Sequence, residues 1–531
     1  MARVDTTSWG LLTSGRDSLP KIINNFNILQ DEIDNLPTSG GGSSYSLPTA
    51  SASVLGGVRI GSGLEITNGL LSATSTGGSG GGTVTITGSG GLLSVKDSAY
   101  GAVGNGSTND SIAFTACISA AASAGMNVWV PPGTYVVNNV ALLSGIEIFG
   151  DRSTTILIQP TSTSSWDSIF QVNKAYSSPV AVKNVRLHNM QLKGRVDTQG
   201  FSEFISLLLL GNVSNIEIDH CDFIGFRGDA IDLIGFNSMH NEWVSVHDCL
   251  FDGVNHDNRQ CLSVEDGNHI FFLRNVCQNC TRPDMPGAVD VETNDDAFAI
   301  VKDIWVCNNY FKSIGGNACM VVSLQNSIVN YGGFHFEGNT MESLINNCGA
   351  FCFSHYHTTP ITVQSTRHDI TVSKNKCKNQ IGTSYLVSVD GIHGAKFSQN
   401  TFSDCAASMI MTTYENIKNI DITWNDNTFE RITDGSLFYM MSNDDFNFYD
   451  NKVINCPGYI FTIGLANIAS SSSYLNIHDN RFLAPNVTAT DVFSIQSNHT
   501  FSVSTNTYFH NKVSFATPGQ STWIAKFGTN G

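Results

Sequence analysis

Positive charge is scarce in this 531-residue chain: 28 Lys and Arg stand against 45 Asp and Glu, a formal net charge of −17. A phosphate backbone or an anionic membrane surface would repel it, so no nucleic-acid partner and no membrane insertion are expected. Charge of either sign is sparse, at 14% of residues, which argues against long helices with salt-bridged faces. No run approaches the roughly 18 consecutive apolar residues of a membrane span, and the polar start "MARVDTTSWG" does not read as a signal peptide. The thirteen cysteines are odd in number, and the CxxC of Cys277 and Cys280 has no second pair at zinc-ribbon spacing. Buried free thiols in a protein made in a reducing cytosol are expected instead.

What the chain does have is Gly, Ser, Thr and Asn, the residues of turns between short strands. Its first segment reads as a helix: Asp17 or Ser18 can cap it, Pro20 suits the first turn and Pro37 ends it. Ile22, Phe26, Leu29, Ile33 and Leu36 follow heptad spacing, but two heptads are marginal alone in water. The seam needs sister helices or a docking surface; packing on its own domain is the plainer alternative. "TSGGGSS" (38–44) and "TSTGGSGGG" (74–82) are flexible linkers by composition. Between them "YSLPTASASVLGGVRIGSGLEITNGLLSA" (45–73) closely resembles a short module of bacteriophage tail fibres.

Residues 95–137 read as strand, Gly-rich turn, helix capped by Asn or Asp, then strand. With "GAVGNG" (101–106), "TNDS" (108–111) and "VPPGTY" (130–135), this stretch resembles the start of the pectate-lyase-like β-helix family. A repeat then becomes visible without reference to any family. The frame apolar-x-apolar-x-x-Asn-x-apolar recurs twelve times from Val185, with spacings of 25 to 36 residues, as in "IWVCNNYF" (304–311) and "ITVSKNKC" (370–377). The Asn stands at Asn275, Asn309, Asn339, Asn375, Asn400, Asn425, Asn451, Asn480 and Asn506. A period near 26 with two or three short strands is one coil of a parallel β-helix. The Asn suits a tight turn that needs left-handed backbone angles, and its amide can bond to the Asn of the next coil. The leucine-rich-repeat frame is absent. The expected fold is all-β, a right-handed parallel β-helix of about 12 coils with a short N-terminal helix and a small β neck module.

In each coil a second strand carries an inward apolar pair: Ile231 and Leu233, Leu262 and Val264, Val289 and Val291. Alternation then turns Asp232, Ser263 and Asp290 away from the core in one column, with Ile234, Glu265 and Glu292 in the next. Later coils lack clustered acids here. Like charges this close raise one another's pKa, which makes a general acid at neutral pH. Three readings stay open: a solvated acidic stripe, a divalent-cation site (disfavoured, for want of a calcium-loop motif), and a catalytic surface. The catalytic candidates are Asp232, Glu265, Asp290 and Glu292, and the substrate-binding candidates are Trp243, Asp229 and Asp266. Asp295 and Asp296 begin an excursion and read as solvated. Phe201, Phe236 and Tyr356 are further coil-edge aromatics, and His355 and His357 in "SHYH" read as a satisfied surface pair.

The whole layout resembles a bacteriophage tailspike. The divisions are a virion-attachment segment (1–44), a neck and linker (45–94), a leading segment with capping helix (95–160), the β-helix (161–510) and a tail (511–531). The resemblance implies a homotrimer on the virion tail, joined to phage tail or adaptor proteins through residues 1–44. It also implies binding, and often cleavage, of host surface polysaccharide, lipopolysaccharide or capsule. No cofactor and no metal are implied. Lyase relatives use Arg or Lys as base, and Arg227, Arg259, Arg274 and Arg282 fall on turns, so a hydrolytic endoglycosidase is favoured over a lyase. A non-catalytic adhesin of the same architecture is the alternative.

Overall fold

The computed structural model describes residues 64–67, 70–73 and 91–515, the last with short interruptions (162–163, 165, 174–179, 236–238, 295–296, 359–361, 363–364, 383–384, 413–417, 457–458, 464–469, 485–492, 496–498 and 502–511). The chain divides into two units, Met1–Thr85 and Ile86–Gly531. In the first, Leu64–Thr67 pairs antiparallel with Leu70–Ala73. The expected helix over residues 20–36 and both Gly/Ser linkers lie outside the described residues.

The second unit is a right-handed parallel β-helix of three sheets, with 15, 15 and 13 strands among the described residues. The chain visits them in a fixed order, as in Glu242–His247 (first sheet), Leu250–His256 (second) and Leu262–Val264 (third), before Gly267–Leu273 returns to the first. The first sheet begins at Leu92–Ser94, ahead of the first repeat visible from Val185. At the far end Lys512–Phe515, expected in a tail, pairs with Arg481–Ala484 in the second sheet.

One helix, Ser111–Ala124, packs Phe114 on Tyr135 and Phe170, with ring centroids 5.4 and 6.4 Å away. It ends at Gly125, whose φ of 65° only a residue without Cβ adopts freely. Asp110 is its N-cap but makes no side-chain cap bond. Its carboxylate instead accepts from the N–H groups of Val103 (2.7 Å) and Gly104 (3.2 Å) and so holds the glycine turn. All thirteen cysteines are unpaired and all but Cys352 are buried; Cys261 and Cys280 stand 3.6 Å apart, in contact but not bonded.

The asparagine ladder exists, with two corrections. The left-handed residue at the first corner is the one before the Asn: Asn308, Gly338, Lys374, Gln399, Asp426, Asp450 and Asp479 have φ from 55° to 66°. The Asn itself turns inward. The member in the ninth repeat is Asn427 rather than Asn425: Asn427 accepts from Asn400 N–H (3.0 Å) and donates to Asn451 (2.9 Å). Asn425 instead bonds to Asp426. The frame slipped because Ile420, Ile422 and Trp424 offer two equal apolar pairs. Trp424, stacked on Phe397 at 3.9 Å, decides it. Asn506 lies outside the described residues.

Candidate active site

The acid column forms on the third sheet. Strands Ile231–Leu233, Leu262–Val264 and Val289–Glu292 pair in parallel with Asp232 beside Ser263 and Ser263 beside Asp290. Val264 pairs with Val291, so Glu265 and Glu292, one residue further on, stand side by side on adjacent strands. That places their backbones about 4.8 Å apart.

The acids are not a solvated stripe. Asp290 is 0% exposed, Asp229 3% and Asp232 6%, while Glu265 and Glu292 are half-buried. They are covered by residues that close the preceding turn. Gln260, itself fully buried, donates from Nε2 to Asp290 Oδ2 at 2.6 Å. Its backbone N–H donates to Asp229 Oδ1 at 3.3 Å. Arg259 enters the cluster as its cation, 3.6 Å from Asp229 and 3.4 Å from Glu203. Asp232 Oδ1 and Asp290 Oδ1 are buried without a hydrogen-bond partner.

Burial therefore dominates the electrostatics. It pushes Asp232 and Asp290 well above the usual carboxylate range, with Glu265 adding to the rise at Asp232 and Glu292 at Asp290. Asp229 is raised to about 6, by burial first, with Arg259 opposing. Glu265 is raised to about 7, again by burial, against a bond from Gly235 N–H to its Oε2 (3.1 Å). Arg259 is held above its usual value, since Asp229, Glu203, Asp290 and Glu292 together outweigh its burial.

These shifts carry a pH signature. Raised carboxyl pKa values mean that the folded chain keeps protons the unfolded chain has released. The stability they contribute is complete below about pH 4 and is lost as pH rises, through about 6 for Asp229 and about 7 for Glu265. Asp290→Asn mimics the neutral acid, so it should unfold at a higher temperature than wild type at about pH 8 and at a similar one near pH 4.5. A lower midpoint at the alkaline pH in calorimetry would contradict the buried neutral acid.

The other candidates lie elsewhere or serve the fold. Asp266 accepts from the backbone N–H groups of Asn241 (2.9 Å) and Ile300 (2.8 Å) and meets His240 at 3.0 Å, so its carboxyl ties three chain segments together. Trp243 belongs to the first sheet, not the acid-bearing one; it is 53% exposed and stacks on His269 at 4.0 Å. Phe201 lies under the Arg282 guanidinium at 3.5 Å, and Tyr356 is exposed. Phe236, Asp295 and Asp296 fall outside the described residues.

The sequence reading missed a second aromatic pair. Phe204 follows Glu203, the partner of Arg259, and packs on Trp166 with centroids 4.8 Å apart. Both rings are exposed beside the carboxyl cluster, at 45% and 37%. No periodic signal marks them, because both sit on irregular segments between strands.

Residues 92–300, which include every acid of the cluster, match the family described as rhamnogalacturonase A/epimerase, pectate lyase-like. The chain thus carries a pectate-lyase-like parallel β-helix. Among solved structures it is similar to a tailspike protein of the E. coli bacteriophage HK620, at 13% identity over 80% of this chain and 78% of that one, with a TM-score of 0.56. It is also similar to the A-module of an Azotobacter vinelandii mannuronan C-5 epimerase (14% identity, 79% and 99% covered, TM-score 0.47). A third is the catalytic unit of a Streptomyces thermodiastaticus α-1,3-glucanase (15%, 82% and 71%, TM-score 0.43). At these identities the likeness is one of fold. No curated protein matches the sequence.

Proposed function

We propose that this chain is a bacteriophage tailspike that binds a bacterial surface polysaccharide, O-antigen or capsule, and cleaves it by carboxylate acid–base hydrolysis. One observation carries the reading: Glu265, raised to about 7 and half-buried, stands beside Glu292 on the next strand. Glu265 would protonate the glycosidic oxygen as the bond to the anomeric carbon breaks. The Glu292 carboxylate would attack that carbon, and water, giving its proton to Glu265, would release the sugar. Neighbouring strands about 4.8 Å apart suit the short carboxyl separation of retaining enzymes. Elimination would need a cation that gives up its proton readily, whereas Arg259 is held protonated by its acidic neighbours. Its phage setting is supported by the tail-fibre-like residues 45–73 and by a fold similar to that of a tailspike. Incubating the full chain with purified bacterial surface polysaccharides and assaying new reducing ends tests the activity.

The second reading, an adhesin that binds without cleaving, is favoured by the complete burial of Asp290 and its bond to Gln260. Binding with no reducing ends released would select it. In either case Trp166 and Phe204 supply the flat apolar surface on which pyranose faces stack. Trp166→Ala with Phe204→Ala should raise KM about tenfold and leave kcat nearly unchanged, as loss of uniform binding does. An unaltered KM would remove the pair from the site. Assembly as a homotrimer mounted through residues 1–44 belongs to the same proposal; light scattering should give three times the 57.3 kDa chain mass. A monomeric mass would refute it.

A further inference from the structure

Three histidines meet at the corner where the third sheet hands over to the first. His355 ends the strand Gly349–His355, His357 follows it, and His368 stands two residues before Ile370–Ser373. One ring nitrogen from each lies within 4.8 Å of the other two. His355 is 5% exposed and His368 0%, while His357 is half-buried and gives the cluster its side toward solvent. The expected surface pair is therefore a largely buried triad.

The hydrogen bonding leaves a ring nitrogen over. Nδ1 of His355 faces Nε2 of His368 at 2.9 Å, and the Gln325 backbone meets the His355 ring. His357 Nε2 donates to the Gly391 carbonyl at 3.0 Å, which leaves its Nδ1 a lone pair. Nδ1 of His368 lies 3.0 Å from the amide nitrogen and 3.3 Å from the carbonyl oxygen of His393, so either tautomer of that ring has a partner. Backbone carbonyls behind the rings are the usual orienting partners of metal-bound histidines. Tyr331 packs against the cluster, 4.9 Å from His355 and 4.7 Å from His368, with its hydroxyl donating to Thr366 O.

We propose that His355, His357 and His368 bind one divalent transition-metal cation of the zinc class at this coil corner. Three neutral imidazoles with a fourth position open suit Zn²⁺, Co²⁺, Ni²⁺ or Cu²⁺ and not the oxygen-seeking Ca²⁺ or Mg²⁺. Zn–N bonds of about 2.0–2.1 Å set ligand nitrogens roughly 3.3 Å apart, so the 2.9 Å pair need open by only about 0.4 Å. Among the described residues one other grouping of this kind, Glu217, Asp219 and His247, already holds a cation in Arg186, 2.8 Å from Asp219.

The test uses the full chain without a polyhistidine tag, stripped with EDTA and then given ZnCl₂ or CoCl₂. Wild type should retain one zinc per chain through gel filtration, show the visible bands of low-symmetry Co²⁺, and melt at a higher temperature with zinc than without. His357→Ala, at the half-buried ligand, should fold normally by circular dichroism and lose affinity by about a hundredfold or more, beyond the usual effect of an outer-sphere change. His368→Gln should do the same. Wild type that retains no zinc, or His357→Ala that binds it as tightly as wild type, overturns the proposal.

Discussion

Glu265→Gln and Glu292→Gln should each slow polysaccharide cleavage by about a hundredfold or more, the usual contribution of an acid–base group. The amide keeps the shape of the carboxyl and removes its proton chemistry. At Glu265 it can still accept the Gly235 N–H bond, so the fold should survive. With Glu265 raised to about 7, wild-type kcat/KM should fall as pH rises through that value, because the general acid loses its proton. The alkaline fall should vanish from the residual activity of Glu265→Gln and persist in that of Glu292→Gln. Wild-type rates in both variants would leave the cluster a structural feature and move the cleavage chemistry elsewhere on the chain, whereas the adhesin reading requires that wild type release no reducing ends. Asp290→Asn separates the two further. It replaces a buried carboxyl, whose burial favours the protonated form, with a neutral amide, so its effect should fall on stability before it falls on turnover.

The coil, its inward pairs and the register of the acid column were legible because each rests on a period. Ile231, Leu262 and Val289 pair in the order their alternation dictates. The burial of the column was not legible, because what covers it comes from turns. Arg259 and Gln260 carry no periodic mark, and only the path of the chain between Leu250–His256 and Leu262–Val264 brings them over the acids. The same holds for Trp166 and Phe204, which are distant in sequence and joined through the Phe204 carbonyl, which accepts from Trp166 N–H at 2.6 Å. Trp243, a substrate-binding candidate for its place at a coil edge, lies on a different sheet from the acids, which alternation within one strand cannot show. His368 could have been sought from the H-x-H of His355 and His357, since a strand end and the next strand start meet at every coil corner.

The ladder offers the sharpest test of what holds the coils together. Asn375 Oδ1 accepts from both the backbone N–H and the side-chain Nδ2 of Asn339, at 2.9 and 3.0 Å. Its own Nδ2 donates to the Phe336 carbonyl at 2.7 Å and to Asn400 Oδ1 at 3.0 Å. All of these groups are buried, so no water replaces a lost partner. Asn375→Ala leaves the Asn339 amide N–H with no acceptor and deprives the Phe336 carbonyl of this side-chain donor. Each orphaned buried group costs about 1–3 kcal/mol, so the substitution should destabilise by roughly 3 kcal/mol or more. Asn375→Asp keeps the acceptor and loses the two donors, so near neutral pH it buries a charge beside Asn400 Oδ1 and should be no better tolerated. Asn425→Ala is the control: this residue lies off the ladder, bonded to Asp426, and its loss should cost far less. The measurement is the unfolding midpoint of each full-length variant in denaturant. Equal midpoints for Asn375→Ala and Asn425→Ala would show that stacking of the apolar rows, Phe336 on Val372 on Phe397, aligns the coils without the ladder. A large gap between them would assign the alignment to the asparagines.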